Sequence, residues 1–266
     1  MVPRICFQSS GVIGVIKPYG LPTQAPPGLP SVEQWLRSTL SHDSYIGVPH
    51  RLDRAVSGVM LFANTPRAAR QLSRQFERRQ IEKTYLALTE MSSQDEGFEG
   101  IDNHFLNQEW HDWIAKIPNQ SQACISSPKD RSAREARTQS TQLGFLSGPG
   151  AHRVALLRLQ PHTGRMHQLR VQASARGMPI IGDILYGAQY DLRADPQWEF
   201  WERGKMPRVD PIALHAWKIR FHDPDTKQAI TLKAAVPSYW PAEVVNLINR
   251  ELLKDRSEAD MHKPLM

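Results

Sequence analysis

The chain has 266 residues, 40% of them hydrophobic and 23% charged, which is enough to bury a core in one large domain or two small ones. No run of about 18 apolar residues occurs, and the opening MVPRICFQSSGVIGVIKP has no apolar stretch leading to a small-residue cleavage site, so neither a helical membrane span nor a secretion signal is expected. A formal net charge of +6 points to an anionic partner, with nucleic acid the commonest. Cys6 and Cys124 stand far apart and make neither a disulfide framework nor a metal motif, which fits a reducing cytoplasm.

In chain order, Gly11 to Lys17 reads as a short buried strand closed by Pro18-Tyr19-Gly20, and the proline-rich Leu21 to Pro30 as an extended loop. Ser31 to Gln34 has capping-box spacing and predicts a helix to about Leu40. Next comes PHRLDRAVSGVMLFAN, Pro49 to Asn64. Here Asp53 lies between Arg51 and Arg54, with His50 just before them and a strand-like run, Val59 to Phe62, after Ser57-Gly58. A carboxylate flanked by guanidiniums is expected to stay ionised. On a loop ahead of a buried strand it suits a nucleophile or an electrostatic stabiliser, and a structural ion pair is the alternative.

Thr65 as N-cap and Pro66 at the first helical position predict a second helix to about Gln80. Its Ala69, Leu72 and Phe76 share one side, and Arg67, Arg70, Arg74 and Arg78 form a stripe nearly opposite. Such a face is either simply solvated or a phosphate contact. Lys83 to Thr89 alternates as a strand. The pattern then fails from Met91 to about Arg134, a polar stretch that reads as a peripheral lobe of short strands and loops. Arg137 to Leu146 and Val154 to Leu159 resume strand spacing around the Ser147-Gly148-Pro149-Gly150 turn.

Thr163-Gly164 opens a third predicted helix, Arg165 to Arg176, with Gly177 as its stop and with His167, Arg170 and Ser174 on one face. Pro179 to Gly187 reads as a short strand and turn. Ala213 to Phe221 and Ala229 to Val236 read as a hairpin around Asp223-Pro224-Asp225, and Pro241 to Lys254 as an amphipathic helix. Residues 1–254 are thus expected to form a single domain, with 255–266 a loose tail. Hairpin-like succession without regular βαβ alternation predicts an α+β fold with a largely antiparallel sheet and flanking helices.

No GxxxxGK[ST] motif occurs and no GxGxxG follows a strand, so no nucleotide cofactor is expected. Ser57-Gly58 is not part of a GxSxG elbow. His162 and His167 are five apart with no cysteine cluster nearby, so no metal is expected.

The segments that remain are His50-Arg51-Leu52-Asp53, Lys83-Thr84-Tyr85, Thr163 to Arg170, Ile181-Gly182-Asp183 with Tyr186-Gly187, and Leu214-His215-Ala216. In this order and spacing they resemble the RluA-type pseudouridine synthases, which isomerise uridine in RNA; the resemblance spans roughly Gly11 to Val236. It implies a mixed, mainly antiparallel sheet with a central active-site cleft, no cofactor and no metal. It implies Asp53 as the catalytic aspartate and Tyr85 as the tyrosine that packs on the flipped uracil and aids proton transfer. Arg170 is implied to pair with the aspartate, and Arg51 to enter the RNA stack where the target base has left. His50, Arg165 and His167 fall in the same motifs and are expected at the substrate. Arg67, Arg70 and Arg74 are expected on the RNA backbone.

Val56 stands where the family usually has threonine, and Gln172 where histidine is common. With the chain starting almost at the catalytic domain, no S4-type domain is expected, and RNA contacts would come from the catalytic domain, with 91–134 giving target-specific ones. Ribosomal and transfer RNA are both open as substrate, and a monomer is the default. Other readings are an inactive RNA-binding protein on this fold and a nucleoside glycosylase or retaining glycosidase. A retaining glycosidase needs a second carboxyl about 5 Å away.

Overall fold

In the computed structural model the structure describes residues 2–40, 44–91, 107–147, 153–190 and 211–250. The strands are β1 Arg4–Gln8, β2 Val12–Lys17, β3 Ser57–Ala63, β4 Glu82–Glu90, β5 Asn107–Lys116, β6 Ala123–Ser126, β7 Arg134–Ser147, β8 Arg153–Pro161, β9 Leu214–His222 and β10 Ala229–Lys233. Among the described residues they form one ten-stranded sheet in the order β1-β2-β3-β9-β4-β8-β7-β5-β6, with β10 also on β9. β3 and β9 run parallel and the other pairings are antiparallel. With helices α1 Val32–Thr39, α2 Pro66–Glu77 and α3 Gln168–Ser174 this is the expected α+β fold.

Why β2 and β3 read as continuous apolar runs follows from what covers them. Successive side chains on a strand point to opposite faces. Val59 and Leu61 pack with Ala68 and Leu72 of α2. Met60 and Phe62 pack with Val32 and Leu36 of α1 on the other face. Both helices start as the sequence dictates, with Ser31 Oγ accepting from Gln34 N and Thr65 Oγ1 from Ala68 N. The late hairpin β9–β10 forms as expected, and residues 243–250 are helical with Val244 and Ile248 buried. The tail beyond residue 250 lies outside the described residues.

Several elements differ from expectation. β1 is an additional edge strand whose Ile5 and Phe7 face inward while their neighbours are exposed. The stretch after Met91 does hold a short strand, β6, with turns on either side, but residues 107–116 form the ten-residue strand β5, which extends the main sheet beside β7. Its Trp110 is fully buried in the principal core, with Leu86, Leu88 and Leu156. Polar residues between its buried positions hide this alternation in the sequence. Residues 92–106 lie outside the described residues, as does most of the turn at 147–150.

The third helix is shorter than predicted and starts at Gln168. The Gln168 amide oxygen accepts from Thr163 Oγ1 and from the Arg165 amide, so residues 163–167 are tied into a loop. His167 therefore precedes the helix as its N-cap, yet it still falls on the side of Arg170 and Ser174, and all three contact Tyr186. The Pro179 to Gly187 segment supplies an isolated bridge, Ile180 to Thr89, and a 3-10 turn, Ile184–Tyr186, rather than a strand.

Candidate active site

The loop that carries Asp53 is clamped by the chain's own opening segment. Thr23 Oγ1 donates to Leu52 O and accepts from Leu52 N, both at 3.1 Å, and Gly20 N donates to Arg54 O at 2.7 Å. Beneath them Lys17 is fully buried, its Nζ donating to the carbonyls of Pro18, Arg54 and Val56. Burial lowers its pKa to about 7, with the Asp53 charge opposing the shift. The proline-rich segment and Lys17 thus work as a cradle for residues 52–56. Val56 lies in the apolar core, so the valine found in place of threonine meets surroundings that ask for no hydroxyl.

Asp53 opens into a cleft of about 920 Å³ whose walls include His50, Arg51, Lys83, Tyr85, Arg165 and His167. Two side chains of the 163–170 segment approach its carboxylate. Arg170 Nη1 is 3.6 Å and His167 Nε2 3.8 Å from Asp53 Oδ2. Arg51 is exposed on the cleft wall, and Arg54 Nε donates to Gly20 O at 2.8 Å.

Arg170 is fixed in turn by Asp183. Nε donates to Oδ2 at 2.6 Å and Nη2 to Oδ1 at 2.7 Å, a bidentate pair with the Asp183 side chain 1% exposed. Burial works against the guanidinium's charge, but the Asp183 hydrogen bonds and the charges of Asp183 and Asp53 hold its pKa above the usual value. The guanidinium carbon also lies 4.9 Å over the Tyr186 ring. Asp183 and Tyr186 sit in a segment that the sequence marked without assigning either a role. Their importance comes from a pairing across the fold that no local pattern shows.

Tyr85 lies on β4, which pairs with β9 and β8. Burial first, and the Asp53 charge second, push its phenol well above the usual range, so it stays protonated at neutral pH. Lys83 donates to Thr163 O at 3.4 Å, and burial lowers its pKa to about 8. His50 stacks on Phe76, centroids 4.6 Å apart, and its Nε2 accepts from Leu61 N at 2.9 Å. Burial, then the Lys83 charge, lower its pKa to about 3, which makes it a neutral wall of the cleft that also holds β3. Arg165 lines the cleft while its Nε donates to Glu135 O. Arg67, Arg70 and Arg74 are exposed on α2 and do not line the cleft; the end of that helix reaches it through Phe76, Glu77 and Arg79. Gln172 uses both ends of its amide, accepting from Thr138 Oγ1 and donating to Asp112 Oδ2, each at 2.7 Å. No group of three or more His, Cys, Asp or Glu side chains that could hold a metal ion occurs among the described residues.

Behind the cleft Ser57 Oγ lies 2.8 Å from Nδ1 of the buried His215 on β9. Burial lowers the His215 pKa to about 4. Exposed in the unfolded chain, the ring takes up a proton near pH 6.5. Its folded-state pKa is therefore the lower one, and stability is complete above about pH 6.5 and lost as the pH falls towards 4. The slope is about 1.4 kcal/mol per pH unit, and the loss at the lower limit about 3 kcal/mol. Urea unfolding of the wild type and of His215→Asn between pH 7 and pH 4 tests this: the gap between their stabilities should narrow on acidification, and parallel curves would contradict it.

Asp53 faced by Arg170, in a cleft whose walls carry Arg51, Lys83, Tyr85 and Arg165, is the arrangement of an enzyme suited to an anionic substrate. The model of RNA pseudouridylate synthases matches residues 11–175. A tRNA pseudouridine synthase C of Pasteurella multocida (strain Pm70) is 30% identical over 260 residues, which cover 95% of this chain and 98% of that one. A dual-specificity RNA pseudouridine synthase RluA of Vibrio vulnificus (strain CMCP6) is 30% identical over 241 residues, 90% of this chain and 86% of that one. The solved structure of human RNA pseudouridylate synthase domain containing 1 superposes with a TM-score of 0.65 at 21% identity, covering 94% of this chain and 95% of that one, a likeness of fold. The chain belongs to the RNA pseudouridylate synthase family, in its RluA type, and is an isomerase of uridine in RNA.

Proposed function

We propose that the protein converts a uridine of transfer RNA to pseudouridine, with Asp53 as the essential carboxylate acting on a nucleotide flipped out of the RNA stack. The observation that carries this reading is the meeting in one cleft of the Asp53 carboxylate, the Arg170 guanidinium and the protonated phenol of Tyr85. Relatives named tRNA pseudouridine synthase C support transfer RNA as the substrate class, with ribosomal RNA the alternative.

The reaction breaks the N1–C1′ bond and joins C5 to C1′, with loss of the C5 proton. A carboxylate fixed beside a cation can add to the sugar or the base, or take a sugar proton, and each route needs Asp53. Extruding the base costs a few kcal/mol of stacking, which Tyr85 packed on the uracil and Arg51 in the vacated gap would offset. Arg165, on the cleft wall, would bind the nucleotide's phosphates. The exposed Arg67, Arg70 and Arg74 would hold the backbone outside the cleft, a contact that weakens as salt rises.

The test uses transfer RNA carrying tritium at C5 of uridine. The wild type should release the label to water and Asp53→Ala should not. Release by Asp53→Ala would mean that another group does the chemistry. Release from ribosomal RNA alone would overturn the substrate assignment. Binding without release from either would favour an inactive RNA-binding protein, and free uracil a glycosylase.

A further inference from the structure

His167 spends backbone energy to hold its ring in the cleft. It stands just before α3 with φ 51° and ψ 25°, and its side chain makes no cap hydrogen bond. A left-handed conformation is unfavourable for a residue with a Cβ, by about 1 kcal/mol or more. The imidazole lies edge-on to the Tyr186 ring, centroids 5.7 Å apart at 88°. Nδ1 is 2.8 Å from Tyr186 Oη, and Nε2 faces Asp53 Oδ2 at 3.8 Å.

Which ring nitrogen carries the proton follows from the tyrosine. Its oxygen already accepts from the Ala123 amide on β6 at 3.0 Å. A phenol has a single hydrogen to give. With the amide hydrogen directed at the oxygen, the hydroxyl hydrogen is best used on Nδ1. Nδ1 is then the acceptor, and the hydrogen of the neutral ring sits on Nε2, facing the carboxylate. Burial, against the pull of the Asp53 charge, lowers the His167 pKa and favours this neutral form. Hydrogen bonds at catalytic groups are often long before substrate binds, and a small rotation of Asp53 closes the remaining gap.

We propose that Tyr186 locks His167 in the Nε2–H tautomer, and that His167 in this form is a positioning residue for Asp53. It holds Oδ2 from one side while Arg170 holds it from another, so the carboxylate plane is set before the nucleotide arrives. The edge strand β6 thereby reaches the reacting group through Ala123, Tyr186 and His167. This inference rests on Asp53 as the essential carboxylate.

The experiment separates the two ring nitrogens. Glutamine puts an amide nitrogen near the place of Nε2, and asparagine only near that of Nδ1. Single-turnover tritium release at saturating transfer RNA should fall about tenfold in His167→Asn and in Tyr186→Phe, and His167→Gln should recover most of that loss. RNA affinity should stay within about twofold throughout, since the change is in orientation rather than in charge on the RNA path. Nitrogen-15 spectra of the wild-type side chain, assigned by the signal missing from His167→Gln, should show the Nε2–H tautomer, and Tyr186→Phe should lose that preference. Equal rates for the glutamine and asparagine variants would overturn the proposal. An Nδ1–H tautomer in the wild type would do so even if a variant failed to fold. Absence of release from the wild type would count against the transfer-RNA assignment instead, and leave the tautomer measurement standing.

Discussion

Asp183→Ala is expected to lower stability by about 3–5 kcal/mol and to reduce turnover further than that loss explains. The carboxylate is buried and makes both of its short bonds to Arg170. Removing it leaves a guanidinium with 8% side-chain exposure without its bidentate partner, which is the costly way to break a buried pair. The freed side chain would also turn towards Asp53, its other carboxylate neighbour at 3.6 Å, and change the geometry of the reacting group. Replacing both partners with apolar residues of similar size, Asp183→Leu with Arg170→Met, should be less destabilising than Asp183→Ala alone, because no charge is stranded. That double variant should still be inactive, since nothing then orients Asp53 from α3. Urea unfolding and tritium release on the same preparations test both statements. A single variant within about 1 kcal/mol of the wild type would mean that the pair is not the fixed element described.

Gly58→Ala is the second large effect. Gly58 is the second residue of β3, pairs in parallel with Ala216 of β9, and has φ 126°. A Cβ there would lie 2.3 Å from Ala216 O, 2.6 Å from its N and 2.7 Å from its carbonyl carbon. All three are backbone atoms of a central strand, so the sheet itself would have to part. A loss of at least about 3 kcal/mol is expected, with little folded protein recovered. Gly177→Ala is the matched control. Its φ is 69° but nothing lies within 4 Å of the added atom, so it should cost only about 1 kcal/mol. Similar losses for both would show that strand contact is not what demands glycine at position 58.

Local patterns in the sequence carry much of this architecture. Ser31 and Thr65 announced their helices because a capping hydroxyl acts within three residues. Val59 to Phe62 announced a strand because both its faces are covered. Asp53, Tyr85, Arg170 and His167 were marked by resemblance to a family and do meet at one cleft. β5 is hidden in the sequence because the polar Asp112 sits between the buried Trp110 and Ile114, and turns inward to Gln172 and Arg176 only once the fold is complete. The positions of Asp183 and Tyr186 as supports were missed for a different reason: each acts through a side chain on another element, at a distance set only when the sheet is complete. The start of α3 was misplaced because the Gln168 side chain competes for the turn ahead of it. The α2 arginines are exposed as predicted, yet they do not line the cleft, which only the end of the helix reaches, and periodicity alone does not reveal this.

The place of β9 in the sheet has a consequence for how the protein is made. β9 lies between β3 and β4, although it is among the last strands in the sequence. During synthesis from the N-terminus, β3 with Asp53 nearby and β4 with Tyr85 emerge long before the strand that joins them. Until residues 214–222 leave the ribosome, the two halves of the cleft belong to separate partial sheets with unpaired edges. A nascent chain halted before β9 should therefore be held by chaperones and cleaved readily between β3 and β4. Protection from protease should arrive in a single step as β9 is released, and uridine chemistry should begin only then.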